Sequence, residues 1–109
     1  MAEYNAVVRK KIPELHYRSS RICRVLGNPT AYEVLKALGR AAMKPTEIAQ
    51  EMRLSVPTIS VVLRSLRQLD IVRYENLVSG KMYSIKDPTI LSVMNQLETL
   101  VKRLKTVDY

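Results

Sequence analysis

The sequence predicts a mainly α fold with one small β-hairpin, and three observations lead there. Apolar residues recur at helical spacing in successive stretches, several of them opened by a capping residue with a nearby proline, as in Asn28-Pro29 and Asp87-Pro88. Between Asp70 and Asp87 the period changes, with β-branched and aromatic residues on either side of a Ser79-Gly80 turn. Beyond Pro88 the apolar residues follow spacings of 4, 3, 4 and 3.

Taken in order, residues 1–12 form a basic arm with "RKK" at 9–11, either a short strand or a frayed helix. Pro13 is placed to begin a helix that puts Leu15, Ile22, Cys23 and Leu26 near one face until Gly27 stops it. Arg18, Arg21 and Arg24 recur every three residues as a basic ridge away from that face. A second helix follows Asn28, with Ala31, Val34, Leu35 and Leu38 inward and Gly39 at its exit. A short third, "KPTEIAQEM", buries Ile48, Ala49 and Met52.

The next helix is capped by Ser55, and Pro57 lies in its first turn, where the missing N–H breaks no helix bond. Ile59, Val62, Leu63, Leu66 and Leu69 are its inward face. Thr58, Ser60, Val61, Arg64, Ser65, Arg67 and Gln68 remain on the surface. A hairpin over 71–85 comes next. The last helix, about 19 residues and roughly 28 Å long, carries Ile90, Met94, Leu97, Val101 and Leu104 as a heptad seam widened by Val93 and Leu100.

A chain of 109 residues with an apolar fraction of 47 % suits one compact domain. Its 18 Lys+Arg against 10 Asp+Glu give a net charge of +8, which favours polyanionic partners, nucleic acid before membrane. The lone Cys23 can form no internal disulfide. Neither an N-terminal apolar segment nor a membrane-length run is present, so a cytoplasmic protein without a membrane partner is expected. There is no glycine-rich phosphate loop, no CxxC, no HExxH and no convergent His/Asp/Ser set, so neither catalysis, a metal nor a cofactor is expected. His16 and Cys23 lie seven apart on one side of the first helix, but one His and one Cys are thin material for a metal or redox site. Cys23 reads as a small buried hydrophobe.

Helix, helix, short helix, tight turn, helix, hairpin, helix is the order of a winged helix-turn-helix, with the turn in "RLSVP". Domain boundaries follow: arm 1–12, winged helix-turn-helix 13–87, C-terminal dimerisation helix 88–109. In such a fold Thr58, Ser60 and Arg64 can hydrogen-bond phosphates or base edges, and Val61 can touch a thymine methyl. Arg73 and Lys81 on the hairpin, and Lys44 and Arg53 around the third helix, are either phosphate contacts or ordinary surface charge. The final helix is too long for the small core to cover. Ile90, Met94, Leu97, Val101 and Leu104, with Leu15 and Ile22 of the first helix, are therefore the expected homodimer contacts, intramolecular packing being the alternative.

"LGNPTAYEVLKAL", "TEIAQEMRLSVPTISVVLRSLRQLDIV" and "KMYSIKDP" resemble the arsenical-resistance-repressor-like (ArsR-type) winged-helix transcription factors over about residues 15–90. The resemblance implies a homodimeric regulator whose recognition helix enters the DNA major groove, with DNA-facing roles for Val56, Pro57, Thr58, Ser60, Val61 and Arg64. Ala31 stands where the family has an arginine, Val62 where it has a histidine and Asp70 where it has a glycine. The paired cysteines of the metal-responsive members are missing from the third helix, as is the His/Asp set of the last, so metal regulation does not carry over. A sequence-preferring regulator of double-stranded DNA is the function these features favour, its effector unspecified. Two others compete: an architectural, chromatin-like protein binding DNA broadly through charge, and a protein-interaction module using Val61, Leu77 and Val78.

Overall fold

A computed structural model describes residues 11–104, so most of the basic arm lies outside the described residues. The elements are α1 (Glu14–Leu26), α2 (Pro29–Arg40), α3 (Pro45–Met52), α4 (Val56–Gln68), β1 (Val72–Leu77), β2 (Gly80–Ile85) and α5 (Thr89–Arg103). Three of the expected starts are met by a local side-chain bond. The Asn28 side chain accepts from Ala31 N at 3.0 Å, and Ser55 Oγ accepts from Thr58 N at 3.2 Å. Asp87 Oδ1 accepts from Thr89 N at 2.9 Å, with Pro88 leading into α5.

The core forms where the inward stripes of α2, α3 and α4 meet β1, β2 and α5. Val34, Leu35, Ile48, Ile59, Leu63, Leu66, Val72 and Met94 are fully buried there. Burying a side chain of this size contributes about 1.5–3 kcal/mol, which is why a chain without disulfides can hold this shape.

α3 and α4 end alike. Leu54 N donates to Ala49 O and Ile71 N to Leu66 O, both at 3.0 Å. The residue before each amide turns left-handed, Arg53 at φ 57° and Asp70 at φ 66°. This conformation suits glycine, which explains the family's glycine at the position of Asp70. The Asp70 carboxylate is held by Lys86 Nζ at 2.7 and 2.8 Å, tying the end of α4 to the end of β2.

The hairpin is antiparallel and pairs Val72 with Ile85, Tyr74 with Tyr83 and Leu77 with Gly80. Its loop residues are Val78 and Ser79, one position earlier than expected. Gly80 opens β2 at φ 123°, so glycine's freedom is used on leaving the turn rather than inside it. Met43 and Tyr83 exchange backbone hydrogen bonds at 3.0 and 2.8 Å, which fastens the wing to the α2–α3 connection.

Four expectations about the helices are corrected. Gly39 lies inside α2, not at its exit. A Cβ there would meet Leu91 Cδ2 at 3.0 Å, so the glycine serves close approach of α5. Cys23 is exposed rather than buried. α5 has 15 residues, about 22 Å, and Leu104 lies past its end with extended backbone. Met94 is 1 % exposed and Ile90 half-buried against the chain's own core, so Met94 is withdrawn from any surface seam. The exposed line on α5 is instead Val93, Leu97 and Leu100 with Val101, continuing to Leu104.

α5 is held to α2 by a polar cluster. The Tyr32 hydroxyl donates to Glu98 Oε2 at 2.6 Å, and Lys36 Nζ lies 3.1 and 3.0 Å from the two carboxylate oxygens. The bond from Tyr32 and then that from Lys36 hold the Glu98 carboxyl below its ordinary value. Burial first, then Glu98, push the Tyr32 hydroxyl up to about 12. A depressed carboxylate adds stability above its unfolded pKa and loses it as pH falls through the folded one. Glu98→Gln is therefore expected to lower the urea midpoint at neutral pH, with the gap to wild type closing below about pH 4. A gap that stays constant across an acid series would show that Glu98 acts through shape alone.

Candidate nucleic-acid interface

α4 presents its N-terminal two turns to solvent. At 100° per residue, Pro57, Val61, Arg64 and Gln68 form the stripe opposite the buried Ile59, Leu63 and Leu66. All four are exposed, Val61 to 60 %. Val56 and Thr58 are also exposed. Ser60, expected on the outer face, is half-buried on the flank it shares with Arg67. The Thr58 hydroxyl lies 2.8 Å from Ser55 Oγ, so the cap also orients this side chain.

Charge is distributed to match. From Arg53 to Leu69 there is no acidic residue, while Arg53, Arg64 and Arg67 all stand on this surface. The helix N-terminus adds a fixed partial positive charge. Three cations elsewhere are paired within the chain: Lys36 with Glu98, Arg40 with Glu51, and Lys86 with Asp70. None of the α4 arginines has an ion-pair partner among the described residues.

The remaining expected contacts do not all converge. Arg53 lies in the turn between α3 and α4, three residues before the start of α4. Lys44 is half-buried at the N-cap of α3, where its backbone N–H donates to Glu47 Oε1 at 2.8 Å. The hairpin register separates Arg73 from Lys81. Tyr74, Asn76, Lys81 and Tyr83 share one face of the wing, whereas Arg73 shares the other with Glu75. Lys81 Nζ sits 4.6 Å from the Tyr74 ring centroid, and Arg67 Cζ approaches the same ring at 5.5 Å. Neither Arg67 nor Tyr74 was expected at the site, because only the strand register brings them to Lys81.

No group of three or more His, Cys, Asp and Glu is placed to hold a metal ion among the described residues. No helix there is long and apolar enough to cross a membrane.

A capped recognition helix, a tight left-handed turn before it and a two-stranded wing after it define the winged helix-turn-helix class of DNA-binding folds. Residues 28–74, from the cap of α2 into β1, match the bacterial regulatory protein, arsR family. The match spans the helix-turn-helix and the first strand of the wing, a segment similar to the one that the family's bacterial regulatory proteins share.

Solved structures agree on the fold. A homodimeric winged helix-turn-helix DNA-binding domain, Mb0332 from Mycobacterium bovis, described as a possible ArsR-family transcriptional regulator, superposes with TM-score 0.75 at 17 % identity, covering 82 % of each chain. HlyU from Vibrio cholerae gives 0.73 at 16 % identity, over 82 % of this chain and 97 % of its own. NolR from Sinorhizobium fredii gives 0.73 at 20 %, over 85 % and 96 %. No curated protein sequence matches the chain significantly.

Proposed function

We propose that the chain is a sequence-preferring transcriptional regulator that binds double-stranded DNA as a homodimer in the cytoplasm. The N-terminal half of α4 enters the major groove, and the wing lies along the flanking backbone. One observation carries this reading: the Pro57–Val61–Arg64–Gln68 stripe is exposed and free of carboxylates, on a helix whose opposite side is locked into the core. Arg64 is the only long cation of that stripe, and Val56, Thr58, Ser60 and Val61 line the approach to it.

Dimer formation is supported by what the single chain leaves bare. On α1, Leu15 is 74 % exposed and only Ile22, Val25 and Leu26 reach the core. An apolar groove of about 400 Å³ opens between α1 and the start of α5, lined by Ile22, Cys23, Leu26, Leu69, Ile71 and Ile90. With Val93, Leu97, Leu100, Val101 and Leu104 exposed beside it, a second copy of α1 and α5 is the natural cover. Two recognition helices would then lie about 34 Å apart and read a near-palindrome.

Selection of bound sequences from a random duplex pool, followed by competition with bulk genomic DNA, tests this. A regulator keeps its selected site; an architectural binder loses it to competitor in proportion to mass; an interaction module retains no duplex even at low salt. With about six phosphates neutralised, affinity should fall roughly as the fifth power of salt concentration. Arg64→Ala is expected to weaken binding by about 1–3 kcal/mol and to relax preference at one base position. Unchanged affinity and preference in an anisotropy titration would remove Arg64 from the interface.

A further inference from the structure

Arg67 and Lys81 come from different elements and meet one aromatic ring. Arg67 belongs to the last turns of α4, while Lys81 is the second residue of β2. Tyr74, between them, does not move freely: its ring meets that of Tyr83 with centroids 5.2 Å apart and planes at 44°. Tyr83 is buried, and its backbone N–H and C=O are both bonded to Met43. A ring anchored in the core therefore gathers two cations at the junction of recognition helix and wing.

A cation over a tyrosine face at an exposed site gains only about 0.5–1 kcal/mol. Two cations brought to the same ring also repel one another, and an anion within reach of both would offset that repulsion. The described residues do not provide one. Neither Arg67 nor Lys81 has a carboxylate partner among the described residues, unlike Lys36, Arg40 and Lys86. α4 contains no acidic residue, and the hairpin's Glu75 lies on its opposite face, with Arg73.

We infer that Arg67, Lys81 and the Tyr74 ring form a seat for one phosphodiester of the DNA backbone, where the end of α4 meets the wing. The seat rests on the reading that α4 enters duplex DNA, and adds to it a contact that is blind to sequence. One phosphate bridging α4 and β2 would fix the angle of the wing against the recognition helix, so base contacts at Arg64 are made in a single register.

The test is the salt dependence of binding by the full chain, read by anisotropy on a selected duplex and on a scrambled one, for wild type and for Arg67→Ala/Lys81→Ala. A shared seat reduces the slope of log affinity against log salt by about 1.8 for the homodimer, one phosphate's worth in each subunit, and weakens both duplexes by the same several-fold factor at low salt. A reduction near twice that would mean two separate phosphates in each subunit, and a lost affinity with unaltered slope would mean a purely structural effect; either overturns the seat. Both residues are exposed, so the variant is expected to keep the wild-type circular dichroism and urea midpoint. If wild type retains no duplex at low salt, the DNA reading itself fails. If wild type binds and the double variant matches it in slope and affinity, only the seat fails.

Discussion

A Leu97→Glu/Leu100→Glu variant is expected to sediment as a folded monomer and to bind a two-half-site duplex about 10²–10⁴-fold more weakly than wild type. That range is the gain when a second contact becomes intramolecular. Both leucines are exposed on α5 and neither packs against the core, so glutamate there should leave the fold intact. Across a dimer interface the same change would bury four carboxylates without partners, which a helix–helix contact of this size cannot absorb. Sedimentation velocity and anisotropy on the same preparation read both halves of the expectation. A variant that stays dimeric removes the α5 stripe from the interface. A monomer that binds as tightly as wild type removes the need for two half-sites.

Leu63→Ala should lower unfolding free energy by about 2–5 kcal/mol, the range for emptying a fully buried leucine site. Leu63 is 0 % exposed and lies on the inward face of α4. Domains of this kind hold only about 5–15 kcal/mol in all, so one methyl-rich side chain is a large share. The urea midpoint should fall with an unchanged slope, since the surface exposed on unfolding is the same. Leu63 touches no groove, and its effect on DNA binding should track only the loss of folded protein. A shift well under 1 kcal/mol would mean that α4 is not fastened as described.

The fold and the recognition helix are legible in the sequence because their signals are local. A cap bonds three residues along, a proline removes a donor that a first turn does not use, and a buried stripe recurs within one helix. Ser55, Asn28 and Asp87 therefore mark starts that hold at the level of single hydrogen bonds. The seat on Tyr74 is invisible by the same logic. Arg67 and Lys81 are joined by a strand register and a helix–wing contact, and neither has a one-dimensional signature.

α5 shows how far a periodic pattern reaches. Its apolar residues form a band wide enough to serve two neighbouring seams, one through Ile90 and Met94 and one through Val93, Leu97 and Leu100. Periodicity locates the band but leaves its rotation free by about one residue, 100° of arc. Packing resolves it: Gly39 lets Leu91 approach α2, and Tyr32 with Lys36 grips Glu98. These contacts turn Met94 inward and leave the neighbouring line bare.

By itself, then, the amino-acid order determined which segments become helices, where each begins, where the chain pairs with itself, and that the surface of α4 is cationic. Tertiary structure alone decided which side of α5 faces outward, that Arg73 and Lys81 part company, and that Gly39 makes room instead of ending a helix. The physical reason is range: capping and periodicity act within a few residues, whereas register and helix rotation are chosen by contacts between segments that meet only after folding.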